Sequence, residues 1–352
     1  MNTVEILNSK DIPKWEDFIK NHELGQFYHT SIWKEILEKS FPHIKANNLL
    51  LTQKQDNTIE AALSLYVVKS NLIGNRLVSI PFGTLCDPLV KTKKQFKLLL
   101  DRTFDLKKQS NCNRIELKIF RSSKIATDER LNLKCTHKHH YLNLTDDFEK
   151  IIKTFKRTVR QSVRKAEDSK LEVFNGKTEA DLRAFYNLYL KTRKRNFVPS
   201  QPYKFFKNLW KVADNNKFLS LLLAKKRDCI IGGGILIKYK DRTTLEFLAS
   251  DTDFLHLRPN HLLAWVAIKN AKEEGYKIFD FGRTAPEDNG LMRFKKYWGT
   301  TIVDLLQASN NDCKKDTYER DSLKWKFISL LAGKSPIPLY RILNNFCYRH
   351  LG

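Results

Sequence analysis

One order of predicted elements occurs twice in this chain, and no other feature restricts the fold as much. In the first half, NLLLTQ (48–53) and IEAALSLYVV (59–68) flank a polar turn at Asp56-Asn57. A turn near Gly74 leads to RLVSIPF (76–82), then a helical stretch (about 93–108), then the strand RIELKIF (114–120). In the second half, FLSLLLA (218–224) and CIIGGGILIKY (229–239) flank Arg227-Asp228. A turn at Lys240-Asp241 leads to TTLEFLAS (243–250), a helical stretch (about 259–274) and the strand YKIFDFG (276–282). Each half reads hairpin, strand, helix, strand. Identity between the halves is slight, so what repeats is element order. The expected fold class is α/β (mixed α+β), with two domains, each a mixed and mostly antiparallel sheet flanked by helices. At 352 residues there is chain enough for two cores. The expected domains are 1–145 and 146–312, with a helical tail over 313–352 returning to the first.

A helix marks the join. Asp146 and Glu149 form a capping-box pattern, and Phe148, Ile151, Ile152, Phe155, Val159, Val163 and Ala166 form an apolar stripe. On another side Lys150, Lys153, Arg157, Arg160 and Arg164 line up in a ridge with no interleaved acid. Like charges at that spacing repel. The ridge is either a solvated basic face or a surface that meets phosphate. A second basic run, Lys191 to Arg195, closes a helix over about 179–195 and complements its dipole. The tail from about 321 reads helix, the break Ser335-Pro336-Ile337-Pro338, and a last helix. Its stripe of Leu339, Ile342, Leu343 and Phe346 is expected to dock on the body. A basic amphipathic contact with anionic lipid is the alternative.

The formal net charge of +24 points to an anionic partner: RNA, a nucleotide diphosphate, a phospholipid head group or a lipid-linked phosphate. Solvated surface lysines are the competing explanation. The six cysteines form no C-x-x-C pair, so neither a zinc site nor a disulfide framework is indicated. The N-terminus lacks a basic-then-apolar signal pattern, and no apolar run approaches the ~18 residues of a membrane span. A cytoplasmic protein is expected, with peripheral contact at the inner face of the membrane left open.

Most motifs fail on their own chemistry. Gly232-Gly233-Gly234 is not a phosphate loop, because no Lys-Ser/Thr follows and no helix begins there. Glycines within a strand mark a bulge or close backbone approach instead. His137, His139 and His140 beside Cys135 lack a distant partner pair for a metal, and no metal site is expected. No G-x-S-x-G is present. Arg258-Pro259-Asn260-His261 opens a helix after a strand, where unpaired N–H groups attract anions or where proline serves a plain capping geometry. The richest stretch is FDFGRTAPEDNGLMRFKKYWG (279–299), with charges at a strand end beside a glycine loop.

Several segments carry a resemblance. IPFGTLCDPL (80–89), FKRTVRQSVRKAE (155–167), FYNLYLKTRKRNFVPSQPYKFF (185–206), LRPNHLLAWVAIKNAKEEGYKIFDFGR (257–283) and GLMRFKKYWG (290–299) resemble the FemAB family of the GNAT (N-acetyltransferase) superfamily. The ending SPIPLYRILNNFCYRHLG resembles the branch found with exopolysaccharide and exosortase systems. The family comprises tandem GNAT-like domains that transfer aminoacyl groups onto peptidoglycan precursors. No long charged heptad hairpin interrupts the second half, so the compact form is implied.

The resemblance implies an acyltransferase. It would move an acyl or aminoacyl group from an anionic carrier, aminoacyl-tRNA or acyl-CoA, to an amine of a phosphate-bearing envelope precursor. No tightly bound cofactor and no DNA partner are expected. Lys295 matches the family lysine held to polarise the donor carbonyl, and Arg195 after Thr192 matches an arginine that binds acceptor phosphate. The family lysine four residues after the N-terminal tryptophan falls on Leu37, with Lys34 and Lys39 out of pattern. Acyl-CoA users carry a glycine-rich loop where this chain has Arg258 to Leu263. Asp280 and Glu246 are the acid–base candidates, Asp280 alternatively being a structural partner of Arg283. Arg157, Arg160, Arg164, Arg258, Asn260, Arg283, Phe294 and Trp298 are the expected substrate contacts, the two aromatics alternatively serving the core. A non-catalytic binding protein for RNA or lipid-linked phosphate is the alternative function.

Overall fold

A computed structural model describes residues 2–53, 55, 58–214, 217–310 and 335–351. The predicted turn at Asp56-Asn57, Cys313 and the predicted helix from about 321 lie outside the described residues. The described residues group into two compact units. One lies within Met1–Thr136, Asp304–Ser322 and Phe346–Gly352, the other within His137–Val303 and Leu323–Asn345.

In the first unit β1 (Asn2–Ile6), β3 (Leu49–Gln53) and β4 (Ile59–Leu63) form a small antiparallel sheet. β2 (Ile44–Ala46), β5 (Tyr66–Val68), β6 (Arg76–Val78), β7 (Arg114–Ile119) and the late strand β14 (Thr301–Ser309) lie side by side in that order. The helices are α1 (Ile12–Asn21), α2 (Ser31–Ser40) and α3 (Lys93–Gln109). Residues 59–68, expected as one strand, divide between the two sheets. Leu65 takes its backbone bonds from elsewhere: its N–H reaches Asn48 Oδ1 at 3.1 Å and its carbonyl accepts from Asn47 N at 2.7 Å. A reciprocal bond between Thr92 and Gln95 starts α3, and Phe96, Leu99, Leu100 and Leu106 bury its inner face. Each such side chain stabilises the fold by about 1.5–3 kcal/mol. β6 and β7 on either side of α3 pair in parallel. Tyr348 packs on Phe41 and Phe82 within this unit.

In the second unit the strand order is β8 (Asn132–Asn143), β13 (Ile278–Thr284), β12 (Arg242–Ser250), β11 (Cys229–Tyr239), β10 (Leu219–Lys226) and β9 (Glu172–Asn175). Neighbouring strands in this run are antiparallel except β12 and β13, which flank α8 (Pro259–Glu273) and run parallel. The element order of the first unit therefore recurs as strand, helix, parallel strand. α6 (Glu179–Arg195) and α7 (Tyr203–Asp214) complete the helices around this sheet. The three glycines of β11 sit where neighbouring side chains pack closely on the strand. A Cβ at Gly233 would lie 2.9 Å from both Leu223 Cδ2 and Phe185 Cδ2. One at Gly232 would lie 3.1 Å from Leu263 Cδ1 and Pro259 Cβ. Strand bareness lets α6 and α8 approach closely.

The joining helix differs from expectation. It breaks at Phe155 and Lys156, whose ψ angles are 136° and 146°, into α4 (Phe148–Thr154) and α5 (Arg157–Asp168). Lys156 N leaves the helical ladder and bonds Tyr297 O at 2.9 Å. The cap is Asp147, without a side-chain bond. Ile151, Phe155, Val159, Val163 and Ala166 are buried as the stripe requires. The five-cation ridge is split between two helices.

The last helix, α10 (Ile337–Tyr348), also departs from expectation. Its buried residues include Tyr340 and Asn344, not the apolar stripe. Tyr340 Oη donates to Val198 O and Asn344 Nδ2 to Ser200 Oγ, each at 2.7 Å. Loop carbonyls and hydroxyls that need partners decide the orientation, so polar satisfaction outweighs burial of Leu339, Ile342 and Phe346, which stay exposed. No helix among the described residues is long and apolar enough to cross a membrane.

Candidate active site

β12 and β13 pair only through Arg242, Thr243 and Thr244 with Ile278, Phe279 and Asp280. Beyond that point β12 continues to Ser250 and β13 to Thr284 without further pairing to each other. The two parallel strands therefore open into a wedge at their carboxyl ends, the position where α/β sheets bind ligands. A bulge in β13 between Asp280 and Gly282, with Gly282 at φ 69°, turns the strand there.

α9 (Asn289–Lys296) brings a lysine to this point. Asp288 caps it, accepting from Leu291 N at 3.0 Å. Lys295 is 6 % exposed, and its Nζ donates to Arg283 O at 2.8 Å. Burial lowers its pKa to about 8, against the pull of negative Asp280, Glu246 and Asp288, while Arg283 adds repulsion. The ammonium is thus nearly dry and has further N–H groups to offer. Glu246 is half-buried on β12 and acts on Lys295 through its charge.

Asp280 is committed elsewhere. It is buried, accepts from Arg242 Nη1 at 2.8 Å and Gly282 N at 2.6 Å, and lies 3.3 Å from His139 Nε2. Burial pushes its pKa up, but the His139 and Arg242 charges and the bonds prevail and hold it far below the usual carboxylate range. The guanidinium on this carboxylate belongs to Arg242, where the sequence suggested Arg283. Such a carboxylate holds shape and does not take up protons near neutrality.

His140 is also buried, with Nδ1 3.5 Å from Thr300 Oγ1, which donates to Lys295 O at 3.1 Å. Burial and the positive Lys295 push its pKa down to about 4. His139 and His140 are adjacent on one strand, so their side chains diverge rather than converge on an ion. Among the described residues no His, Cys, Asp and Glu group is gathered for a metal.

An aromatic wall stands nearby. His261 on α8 meets Phe294 edge-on at 5.2 Å, and Trp298 lies 6.3 Å from His261 and 6.4 Å from Phe294. Trp298 is fully buried and packs on Phe155 at 5.2 Å, a core position. Burial, then Arg258, lowers the His261 pKa to about 4. α8 opens on Arg258, exposed and in the left-handed region at φ 64°, with Pro259 at N1 and no side-chain cap. Asn260 beside it carries a buried Oδ1 with no hydrogen-bond partner.

The remaining expected contacts lie apart from this cluster or have local partners. Arg157, Arg160 and Arg164 are exposed on α5, where Arg160 reaches Ile152 O at 3.4 Å and Arg164 lies 4.0 Å from Asp168. Arg195 Nη1 donates to Thr252 Oγ1 at 2.9 Å, Lys191 to Asp251 at 2.6 Å, and Arg193 to Pro199 O. Much of that basic run therefore staples the end of α6 to the end of β12. In the first unit Leu37 is buried, while Lys34 and Lys39 pair with Glu38 and Glu35 along α2. Sequence reasoning missed Arg242 and Thr300, and it weighed His139 and His140 only as metal ligands. Arg242 carried one signal: a cation at the head of a central strand needs a buried acid.

Residues 153–296 match the family model described as the acetyltransferase (GNAT) domain. The Lipid II:glycine glycyltransferase of Staphylococcus haemolyticus (strain JCSC1435) is 33% identical over 92 residues, covering 24% of this chain and 22% of that protein. That of Staphylococcus aureus is 30% identical over 82 residues, covering 22% and 20%. The chain thus matches about a fifth of the length of these curated relatives. Among solved structures, FemX superposes with a TM-score of 0.69 at 17% identity, covering 87% of this chain and 96% of FemX. A tandem GNAT protein from the clavulanic acid biosynthesis pathway gives 0.57 at 8% identity, covering 88% and 98%. At those identities the structures speak to fold. The class defined is a tandem GNAT-like fold with a buried lysine at the wedge of its second unit. Within that class, residues 153–296 are similar to the acetyltransferase (GNAT) domain, and the fold as a whole is like that of FemX.

Proposed function

We propose that the chain is an acyltransferase that moves an aminoacyl or acyl group from a carrier to an amine of a cell-envelope precursor. The observation that carries this reading is a nearly dry ammonium, Lys295, beside strands that splay apart after three paired residues. The acceptor amine attacks the donor carbonyl carbon, and the carbonyl π electrons move onto oxygen. Lys295 faces that oxygen and stabilises its charge, while collapse of the tetrahedral adduct expels the carrier. A preorganised donor of this kind accelerates such a step by about 10²–10³. The new ammonium loses a proton to Glu246 or to water. Asp280, with Arg242 and His139, fixes the bulge from which Arg283 O holds Lys295.

The uncapped start of α8, with Arg258 and Asn260, suits the carrier's phosphate. Similarity to glycyltransferases favours aminoacyl-tRNA as donor. The match to the acetyltransferase domain favours acyl-CoA as the second reading. The phosphate of the acceptor would meet Arg195 or the arginines of α5, on the cytoplasmic side.

The test is to incubate the purified protein with aminoacyl-tRNA or acyl-CoA and an amine-bearing muropeptide or polysaccharide precursor. Mass spectrometry of the acceptor is expected to show a donor-dependent gain of one acyl group. No gain with either donor, from protein that binds them, would sink the proposal.

A further inference from the structure

We infer that one face of α10 docks on an anionic phospholipid surface, with an adjoining cavity receiving a lipid phosphate. Two independent observations meet there. Ten large apolar side chains stand exposed among the described residues, and four of them, Ile337, Leu339, Ile342 and Phe346, lie on this one helix. Ile342 is 66 % exposed and Leu339 48 %. At about 100° per residue, Leu339, Ile342 and Phe346 fall within about 60° of each other, on the side away from Tyr340 and Asn344. An exposed apolar stripe on a helix that is held in place by hydrogen bonds requires a covering.

The second observation identifies that covering. Beside the stripe lies a cavity of about 370 Å³ lined by Arg183, Tyr186, Asn187, Tyr203, Arg341 and Asn345. Arg341 and Asn345 come from α10 itself, on the flank between stripe and buried face. Arg341 Nη2 bonds the neutral Asn187 Oδ1 at 3.3 Å and has no carboxylate partner among the described residues. Arg183 lies over the Tyr203 ring at 4.8 Å and shares Glu179 with Lys207. The cavity therefore holds more positive than negative charge, and its amide and phenol groups can complete the contacts of a phosphate oxygen. Apolar residues that enter the acyl boundary beside cations that take the head group define an interfacial helix. The chain's net charge of +24 favours the same surface. A soluble protein partner would match the stripe equally well but would not need two arginines behind it.

The experiment is vesicle flotation with the full chain, using phosphatidylcholine vesicles with and without phosphatidylglycerol. Binding is expected only with the anionic lipid. The exposed pair Leu339→Asp and Ile342→Asp is expected to weaken it at least about tenfold. Arg341→Gln, which removes charge but not the stripe, is expected to weaken it several-fold. Unchanged circular dichroism checks the fold of each variant. Inorganic phosphate at matched ionic strength separates the sources: occupation of the cavity by the free ion, without vesicle binding, overturns the proposal. So does equal binding to neutral vesicles, unchanged binding by the stripe pair, or a stripe-dependent dimer in light scattering without vesicle binding. The acyl-transfer assay in solution is a separate readout, so failure here leaves the proposed reaction untouched.

Discussion

Replacing Lys295 with methionine is expected to remove activity without weakening the fold. The ammonium gives up its proton at about 8 rather than 10.5. At about 1.36 kcal/mol per pH unit, carrying that charge inside the protein at pH 7 costs roughly 3 kcal/mol. Methionine removes this cost but leaves Arg283 O without its donor, a loss of about 1–3 kcal/mol. The net change in stability lies between about zero and a gain of about 2 kcal/mol. Activity is expected to fall about 10²–10³-fold, because the oxyanion loses its cation. Initial rates of acyl transfer and urea midpoints measure the two effects separately. The pH dependence supplies a third reading. Transfer by the wild type should decline as pH rises through about 8, and Lys295→Arg, which stays charged, should lack that limb. Stability behaves in the opposite sense. Between about 8 and 10.5 the unfolded chain holds more protons, so the wild type gains stability with pH and the methionine variant does not. A variant that keeps rates within about threefold, or that loses activity only in proportion to lost stability, would refute the assignment.

Arg242→Met should destabilise by about 3–5 kcal/mol, seen as a lower urea midpoint, because it leaves the Asp280 carboxylate buried without its guanidinium. Adding Asp280→Asn should recover much of that loss. At low pH, His140 is neutral in the fold down to about 4 but protonated below 6.5 when unfolded. Stability should therefore fall as pH drops across that window, by up to roughly 3 kcal/mol. His140→Gln should flatten that acid limb in denaturation curves.

The repeat of strand, helix and parallel strand was legible because apolar runs, turn residues and breaks all agree at β10 to β13 and around α3. Lys295 was singled out by its resemblance to a family motif, and its burial against Arg283 O is what the structure adds. The break at Phe155 was not, because it depends on Tyr297 O, more than a hundred residues away in sequence, accepting from Lys156 N. The orientation of α10 was misread for a related reason. Its periodic apolar residues suggest one face, and two distant polar partners on the loop after α6 select the other. The cluster around Asp280 was hidden because strand neighbours from β8 and β12 supply its partners, and such neighbours leave no local trace.

Gly232 has a consequence for substrate range. Its missing side chain lets Pro259 and Leu263 sit directly against β11, and Pro259 is the first residue of the helix that borders the wedge. A methyl group at 232 would press on that helix start and shift Arg258 and Asn260 with it. The width of the entrance is thus set from behind, by a position that no bound acyl group would touch. Libraries meant to admit bulkier donors should sample residues 232, 259 and 263 together before altering the residues that line the opening.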